Sequence, residues 1–165
     1  MTLEQAAAYQ KSEIWRRNDE TYVIDEPNIY VISTSVDKKL YSNIEGVGVV
    51  MVKSGDAIYL KLEGTSETLA YLTAGGEVYI NDFFSIKYDF QERTFINEKG
   101  AVRAKLSDVK DVDTGRVTMA VYDNDNRIIV YHEKGIVDGC DAFTVAYNDI
   151  CADVSYMLIL AYETM

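Results

Sequence analysis

The chain is expected to be mainly β: an antiparallel β-sandwich or barrel of roughly ten short strands, with one N-terminal α-helix. Three observations lead there. Apolar and β-branched residues alternate with polar ones in short runs, and Gly, Asn and Asp fall between the runs. The chain also has thirteen Tyr and a single Pro, Pro27, and aromatic and β-branched side chains suit a pleated surface. A length of 165 residues suffices for one domain with a real core. The expected division is a helical arm over residues 1–18 and a single β-rich domain over 19–165.

The helix is placed near residues 3–17. Thr2-Leu3-Glu4-Gln5 has capping-box spacing, Glu4 lies in the first turn, and Arg16 and Arg17 lie in the last, as the helix dipole favours. Its apolar stripe is thin, chiefly Leu3, Ala6, Ala7 and Ile14, with Tyr9 and Trp15 to one side. Such a helix is marginal alone in water, so it is expected to dock on the body or on a neighbour.

Strand patterning follows. Tyr22 to Ile24 and Ile29 to Ile32 flank Glu26-Pro27-Asn28, where the proline marks a turn or an edge. Val47 to Val52 turns through Ser54-Gly55-Asp56 into Ile58, Leu60 and Leu62, a hairpin signature. Leu69 to Leu72 and Val78 to Ile80 flank Gly75-Gly76 in the same way. Phe84, Ile86, Tyr88 and Phe90 alternate with Ser85, Lys87 and Asp89, which predicts a half-buried strand. Beyond the turn at Asn97 to Gly100, strands are expected at Val102 to Leu106, Val117 to Val121, Ile128 to Tyr131 and Phe143 to Tyr147. The run from Val154 to Tyr162 is apolar on both alternating faces, so it reads as a strand covered on both sides, by this domain or by a second subunit.

Composition narrows the function. With 48% hydrophobic and 26% charged residues the chain reads as globular and not disordered. A formal charge of −11 disfavours direct contact with nucleic acid or an anionic membrane. The two halves, 1–82 and 83–165, carry −6 (13 acidic, 7 basic) and −5 (14 acidic, 9 basic), so the charge is spread and not a tail. Met1-Thr2-Leu3-Glu4 does not open a signal peptide, and no apolar run is long enough to span a bilayer, so cytoplasmic synthesis is expected. Cys140 and Cys151 read as two buried thiols in such a compartment.

No motif carries chemistry. His132 is the chain's single histidine; alternation puts it on one face with Ile128 and Val130, as a strand-end residue and not a general base. Two cysteines and one histidine do not complete a four-ligand zinc site. Asp123-Asn124-Asp125-Asn126 matches the opening of a calcium loop, but Arg127 stands where an oxygen ligand is required, so a hairpin turn is expected. Asp111 to Gly115 reads as a turn as well. Gly46-Val47-Gly48 lacks the third glycine and the following helix of a dinucleotide site. No catalytic residue, cofactor or metal is therefore expected.

The segment from Asp141 through Phe143, Val145 and Tyr147 to Asp149, with the apolar run after it, resembles the closing strands of cadherin-like and bacterial immunoglobulin-like domains. Ile150-Cys151-Ala152 replaces their usual Gly-rich turn, and the resemblance implies a sandwich. In outline, an acidic β chain with a short helix and an ordered terminal run is similar to phage tail-tube and capsid-decoration proteins. The expectation is a non-enzymatic assembly subunit of a virus or phage particle, a homo-oligomer contacting other protein subunits through its termini. Its expected contact residues are Leu3, Ala7, Ile14 and Trp15 on the helix, and Met157, Ile159 and Ala161 on the terminal run. The alternative is an acidic protein-binding module or inhibitor, including a mimic of DNA.

Overall fold

The structure is a computed structural model that describes Gln5 and residues 28–32, 38–42, 49–110, 117–137, 140–145 and 150–164. It is mainly β and antiparallel, with a helix at its C-terminal end. The described strands are β1 (Asn28–Ile32), β2 (Lys38–Ser42), β3 (Val49–Ser54), β4 (Ala57–Leu62), β5 (Thr68–Leu72) and β6 (Glu77–Ile80). After them come β7 (Phe83–Asp89), β8 (Thr94–Ile96), β9 (Val102–Lys110), β10 (Val117–Asp123), β11 (Ile128–Val137) and β12 (Cys140–Val145). The helix α1 spans Ile150–Thr164.

Each of β3 through β11 pairs antiparallel with the next strand in sequence, giving a continuous nine-strand sheet. Strands β2, β1 and β12 join its two edges, because β1 pairs with both β2 and β12, and the strand order returns on itself as a barrel. A barrel leaves no open edge, whereas a sandwich does. The sandwich implied by the resemblance to immunoglobulin-like domains is therefore not what forms.

The turns read from the sequence are present. Gly55 turns β3 into β4 at φ 61°, and Gly76 turns β5 into β6 at φ 91°. Asp123 to Arg127 closes as a hairpin turn: the Asp123 carboxylate accepts from the Asp125 and Arg127 amides at 2.9 Å, and Asn126 takes φ 60°. The β6–β7 turn places Asn81 at φ 50° and Asp82 at φ 64°, the left-handed pair that a two-residue hairpin requires. Asp111 to Gly115 and the strand expected at Tyr22 to Ile24 lie outside the described residues, as does the helix expected over 3–17 apart from Gln5, which is helical and exposed.

Four bulges correct the faces that simple alternation assigns. Extra residues in β5, β7, β9 and β11 shift the register at Leu60/Lys61, Val78/Tyr79, Phe95/Ile96 and Val121/Tyr122. A bulge reverses the parity of everything beyond it and strengthens the local twist and bend. Phe84 therefore pairs with Tyr79 and faces outward, while Ile86 and Tyr88 face inward. Val102 is exposed for the same reason. Ile128 pairs with outward Tyr122, whereas Val130 pairs with inward Val121, so His132 shares a face with Val130 but not with Ile128.

The largest correction concerns the terminal run, which is not a strand. Ile150–Thr164 is α-helical, and every side chain from Met157 to Ala161 is at most 1% exposed. A strand covered on both faces and a helix covered on all sides make the same demand on a short run, an unbroken stretch of apolar residues. The helix contacts β5, β6 and β7 on one side and β11 and β12 on another, so it lies within the ring. Met157, Ile159 and Ala161, expected as contact residues for a second subunit, are instead core residues covered by their own chain. Leu3, Ala7, Ile14 and Trp15 lie outside the described residues.

Rings and hydroxyls fix how α1 sits. The Ser155 and Ser85 hydroxyls are 2.7 Å apart; Tyr156 packs edge-on against Phe95 at 4.9 Å, and the Tyr162 ring lies tilted against Phe90 at 5.1 Å. Ser85 is the bulge residue of β7, which explains how a strand neighbour of outward Phe84 reaches the helix. The C-terminus of α1 thus emerges at the end of the barrel where β7 finishes.

Candidate interaction surface

The barrel interior offers little room for chemistry, because α1 occupies it. A helix with its side chains is about 10 Å across, and a twelve-strand ring needs such a filler to reach core density. The polar groups gather at the mouth where α1 ends. The last turn of the helix has no basic residue of its own, yet it ends with the negative pole of its dipole. Lys53 supplies a cation there, with Nζ 5.8 Å from the centre of the Tyr162 ring. Arg93 supplies another at the same mouth and sits 3.3 Å from the Asp108 carboxylate. Partial burial opposes the Arg93 charge, but Asp108 and the Tyr88 hydroxyl outweigh it and hold the pKa above its ordinary value. Burial, followed by the nearby Glu163 carboxylate, pushes the Tyr88 phenol well up, so it stays neutral.

His132 faces the same mouth from β11. It is 5% exposed, lies 4.7 Å from the Phe143 ring, and has Nε2 at 3.5 Å from the Asp141 carboxylate. The sequence places His132 at a strand end; it lies instead within the ten-residue strand β11. Cys140 opens β12 and Cys151 lies in the first turn of α1. Among the described residues, no three His, Cys, Asp or Glu side chains gather as a metal site would require. No described helix is long and apolar enough to cross a membrane.

The distinctive surface is outside the barrel. Val52 on β3, Tyr59 on β4, Tyr71 on β5, Tyr79 on β6 and Phe84 on β7 are successive cross-strand partners. They form one row across five strands, on the face opposite the core residues Ile58, Leu60, Ala70, Leu72 and Val78. Successive rings lie 5.9, 5.1 and 6.0 Å apart, the first two pairs stacked and the third edge-on. Such cross-strand pairs stabilise the sheet by roughly 0.2–1 kcal/mol each. They also leave a rigid apolar ridge with phenol hydroxyls along it.

Charge is arranged around this row. Lys61 Nζ lies 5.9 Å from the Tyr59 ring centre, and Lys87 pairs across strands with Glu77. Exposed Glu63 and Glu67 in the β4–β5 turn and Asp82 in the β6–β7 turn border the row at one end of the barrel. Phe83, 77% exposed, stands beside Asp82. The Tyr71 phenol is held above its ordinary pKa by packing, then by the Asp82 carboxylate and the neighbouring Tyr79 and Tyr59.

At the other end of β6 the Thr73 hydroxyl donates to the Glu77 carboxylate. That bond, followed by the residue's own backbone amide and by Lys87, lowers the Glu77 pKa against a small opposing desolvation. A lowered carboxylate pKa contributes stability above the unfolded-state value and loses it as pH falls through the folded-state value. In an NMR pH titration, Glu77 is expected to titrate below the exposed glutamates. Thr73→Val is expected to return it to the ordinary range; an unchanged midpoint in that variant would assign the shift elsewhere.

Sequence reasoning accounts for the thirteen tyrosines as strand residues with buried rings and wet hydroxyls. It does not align Tyr59, Tyr71 and Tyr79, because the alignment depends on pairing register and on the bulges in β5 and β7. The chain matches no family model and no curated protein. It is similar in structure to a protein from Arabidopsis thaliana, AT5G01750, solved by X-ray crystallography: the TM-score is 0.58 at 12% identity, over 90% of this chain and 98% of that one. At that identity the likeness shows the fold alone, an antiparallel β structure with a C-terminal helix against it.

Proposed function

We propose that this chain is a non-enzymatic protein-interaction module that works through the outer face of its barrel and takes a basic, partly apolar polypeptide as partner. The observation that carries the reading is the half-buried aromatic row from Tyr59 to Phe84 on the outer face of the sheet. Tyrosine supplies large, stiff, amphipathic contact area and is enriched where proteins meet. Carboxylates at one end of the row and the overall charge of −11 favour a cationic partner and disfavour a second copy, since two such copies repel.

An assembly subunit of a virus or phage particle remains a special case of this reading, with the outer row in place of the terminal run as its contact surface. A DNA mimic is less well supported, because aromatic rings and not carboxylates form the row.

Selection of random displayed peptides on the immobilised protein tests the proposal. The expected result is enrichment of peptides combining Lys or Arg with apolar residues. Their binding should weaken as salt rises and fall at least tenfold in Tyr71→Ser/Tyr79→Ser. Enriched peptides that bind this folded double variant equally well would refute the proposal, as would acidic or charge-indifferent peptides.

A further inference from the structure

The aromatic row has the spacing of a helix and offers no place for an added strand. Successive ring centres from Tyr59 to Phe84 lie 5.9, 5.1 and 6.0 Å apart. One α-helical turn rises about 5.4 Å, so side chains along one helix face repeat at nearly this interval. Same-face side chains of an extended chain repeat at about 6.6–6.8 Å and fall out of step by roughly 3 Å over the row. Those of a polyproline helix repeat at about 9.3 Å and match neither one interval nor two. Strands β4 to β7 each pair on both sides, so no free ladder edge adjoins the row. An extended partner lying across them gains no backbone hydrogen bonds, whereas a helix satisfies its own.

We propose that the occupant of this row is a basic amphipathic helix of a partner protein, lying along the row and across β4 to β7. The inference rests on the polypeptide-binding reading above and gives that partner its conformation. Tyr59, Tyr71 and Tyr79 stack on one another, which leaves ring edges and hydroxyls as the contact surface, and apolar side chains one helical turn apart fit between them. Charge sets which way the helix faces. Among the described residues, the flank towards the β4–β5 and β6–β7 turns carries Glu63, Glu67 and Asp82 against the single ammonium of Lys61. On the other flank Glu77 and Lys87 are cross-strand partners, and Lys53 and Asp56 border one turn, so the charges there offset one another. The Lys or Arg side of the helix therefore lies over the first flank, where Phe83, 77% exposed beside Asp82, adds apolar area.

Two fluorescein-labelled peptides of Leu, Ala and Lys, identical in composition and about four turns long when helical, are titrated with the full chain and followed by fluorescence anisotropy. One repeats its leucines with the helical period and the other alternates them as a strand does; a third differs from the helical one only by a central Pro, which breaks a helix. The helical peptide is expected to bind at least tenfold more tightly than the alternating one and to gain helical circular dichroism on binding. At least tenfold is expected to be lost with the Pro peptide and in Tyr71→Ser/Tyr79→Ser. Glu67→Gln/Asp82→Asn, at exposed positions, is expected to weaken binding several-fold and to flatten its salt dependence. If the alternating or Pro peptide binds as tightly as the helical one and still requires the tyrosines, the partner is extended: the helix is overturned and the binding surface stands. Binding that ignores the substitutions in the folded tyrosine variant overturns both. Absence of binding by the helical peptide overturns the helix, and the displayed-peptide selection then judges the surface. Should the double tyrosine variant fail to fold, Tyr79→Ser alone and the carboxylate variant decide.

Discussion

Removing residues 150–165 is expected to abolish folding of the barrel, seen as loss of the cooperative thermal transition and of near-ultraviolet circular dichroism. The helix brings Met157, Leu158, Ile159, Leu160 and Ala161 into the core with at most 1% exposure. Each large apolar side chain fully buried contributes roughly 1.5–3 kcal/mol, so the four large ones together are comparable with the ~5–15 kcal/mol by which domains are stable. The inward faces of the strands, including Tyr88, Phe95 and Phe143, would also lose their packing partner. A smaller change shows the same dependence: Leu158→Ala is expected to cost about 2–5 kcal/mol. Had the terminal run been an assembly strand, truncation would leave a folded monomer and alter only its association. A cooperative transition in the truncated chain would therefore overturn the placement of the helix.

Gly76→Ala is the second large effect expected, and it acts through the backbone. Gly76 takes φ +91°, and a Cβ there would stand 2.2 Å from the Tyr88 carbonyl oxygen and 3.2 Å from the Phe90 ring. The strand cannot retreat easily, because the Tyr88 amide donates to the Gly76 carbonyl at 2.8 Å. Left-handed strain adds about 1–2 kcal/mol and overpacking about 1–3 kcal/mol, so a loss of about 2–5 kcal/mol is expected in urea unfolding. Gly55 and Gly64 also take positive φ but have open space where a Cβ would go, so alanine there meets only the strain. Equal losses at Gly55 and Gly76 would show that the close approach of Tyr88 does not matter.

Much of the fold is legible in short-range pattern. The hairpins at Gly55, at Gly75-Gly76 and at Asp123 to Arg127 occur where turn residues interrupt alternating runs. Turn chemistry is local, since the residue that tolerates a left-handed backbone must sit in the turn itself. Strands β2 and β8 are less legible: Lys38–Ser42 is mostly polar and Thr94–Ile96 is three residues long. Neighbouring strands hold them in the ladder, not their own pattern.

The helix was the hardest element to read, and the reason is physical. Periodicity marks a helix only when one side is wet, and α1 has no wet side through its middle. Sequence did hold a cue, since Asn148 and Asp149 before Ile150 are residue types that start helices, and a run of this length exceeds most strands. The candidate surface was illegible for a different reason. Tyr59, Tyr71 and Tyr79 become neighbours only through register, which no single strand specifies.

By itself, the sequence determined the β class, the hairpin turns and the acidic character, because each depends on neighbouring residues or on composition. Only the tertiary structure decided that the terminal run is a central helix, that bulges turn Phe84, Val102 and Ile128 outward, and that tyrosines from separate strands line up. Those outcomes follow from closing a ring of strands. Closure sets the register and bends the strands at bulges, and the enclosed space must be filled. The longest apolar segment in the chain fills it.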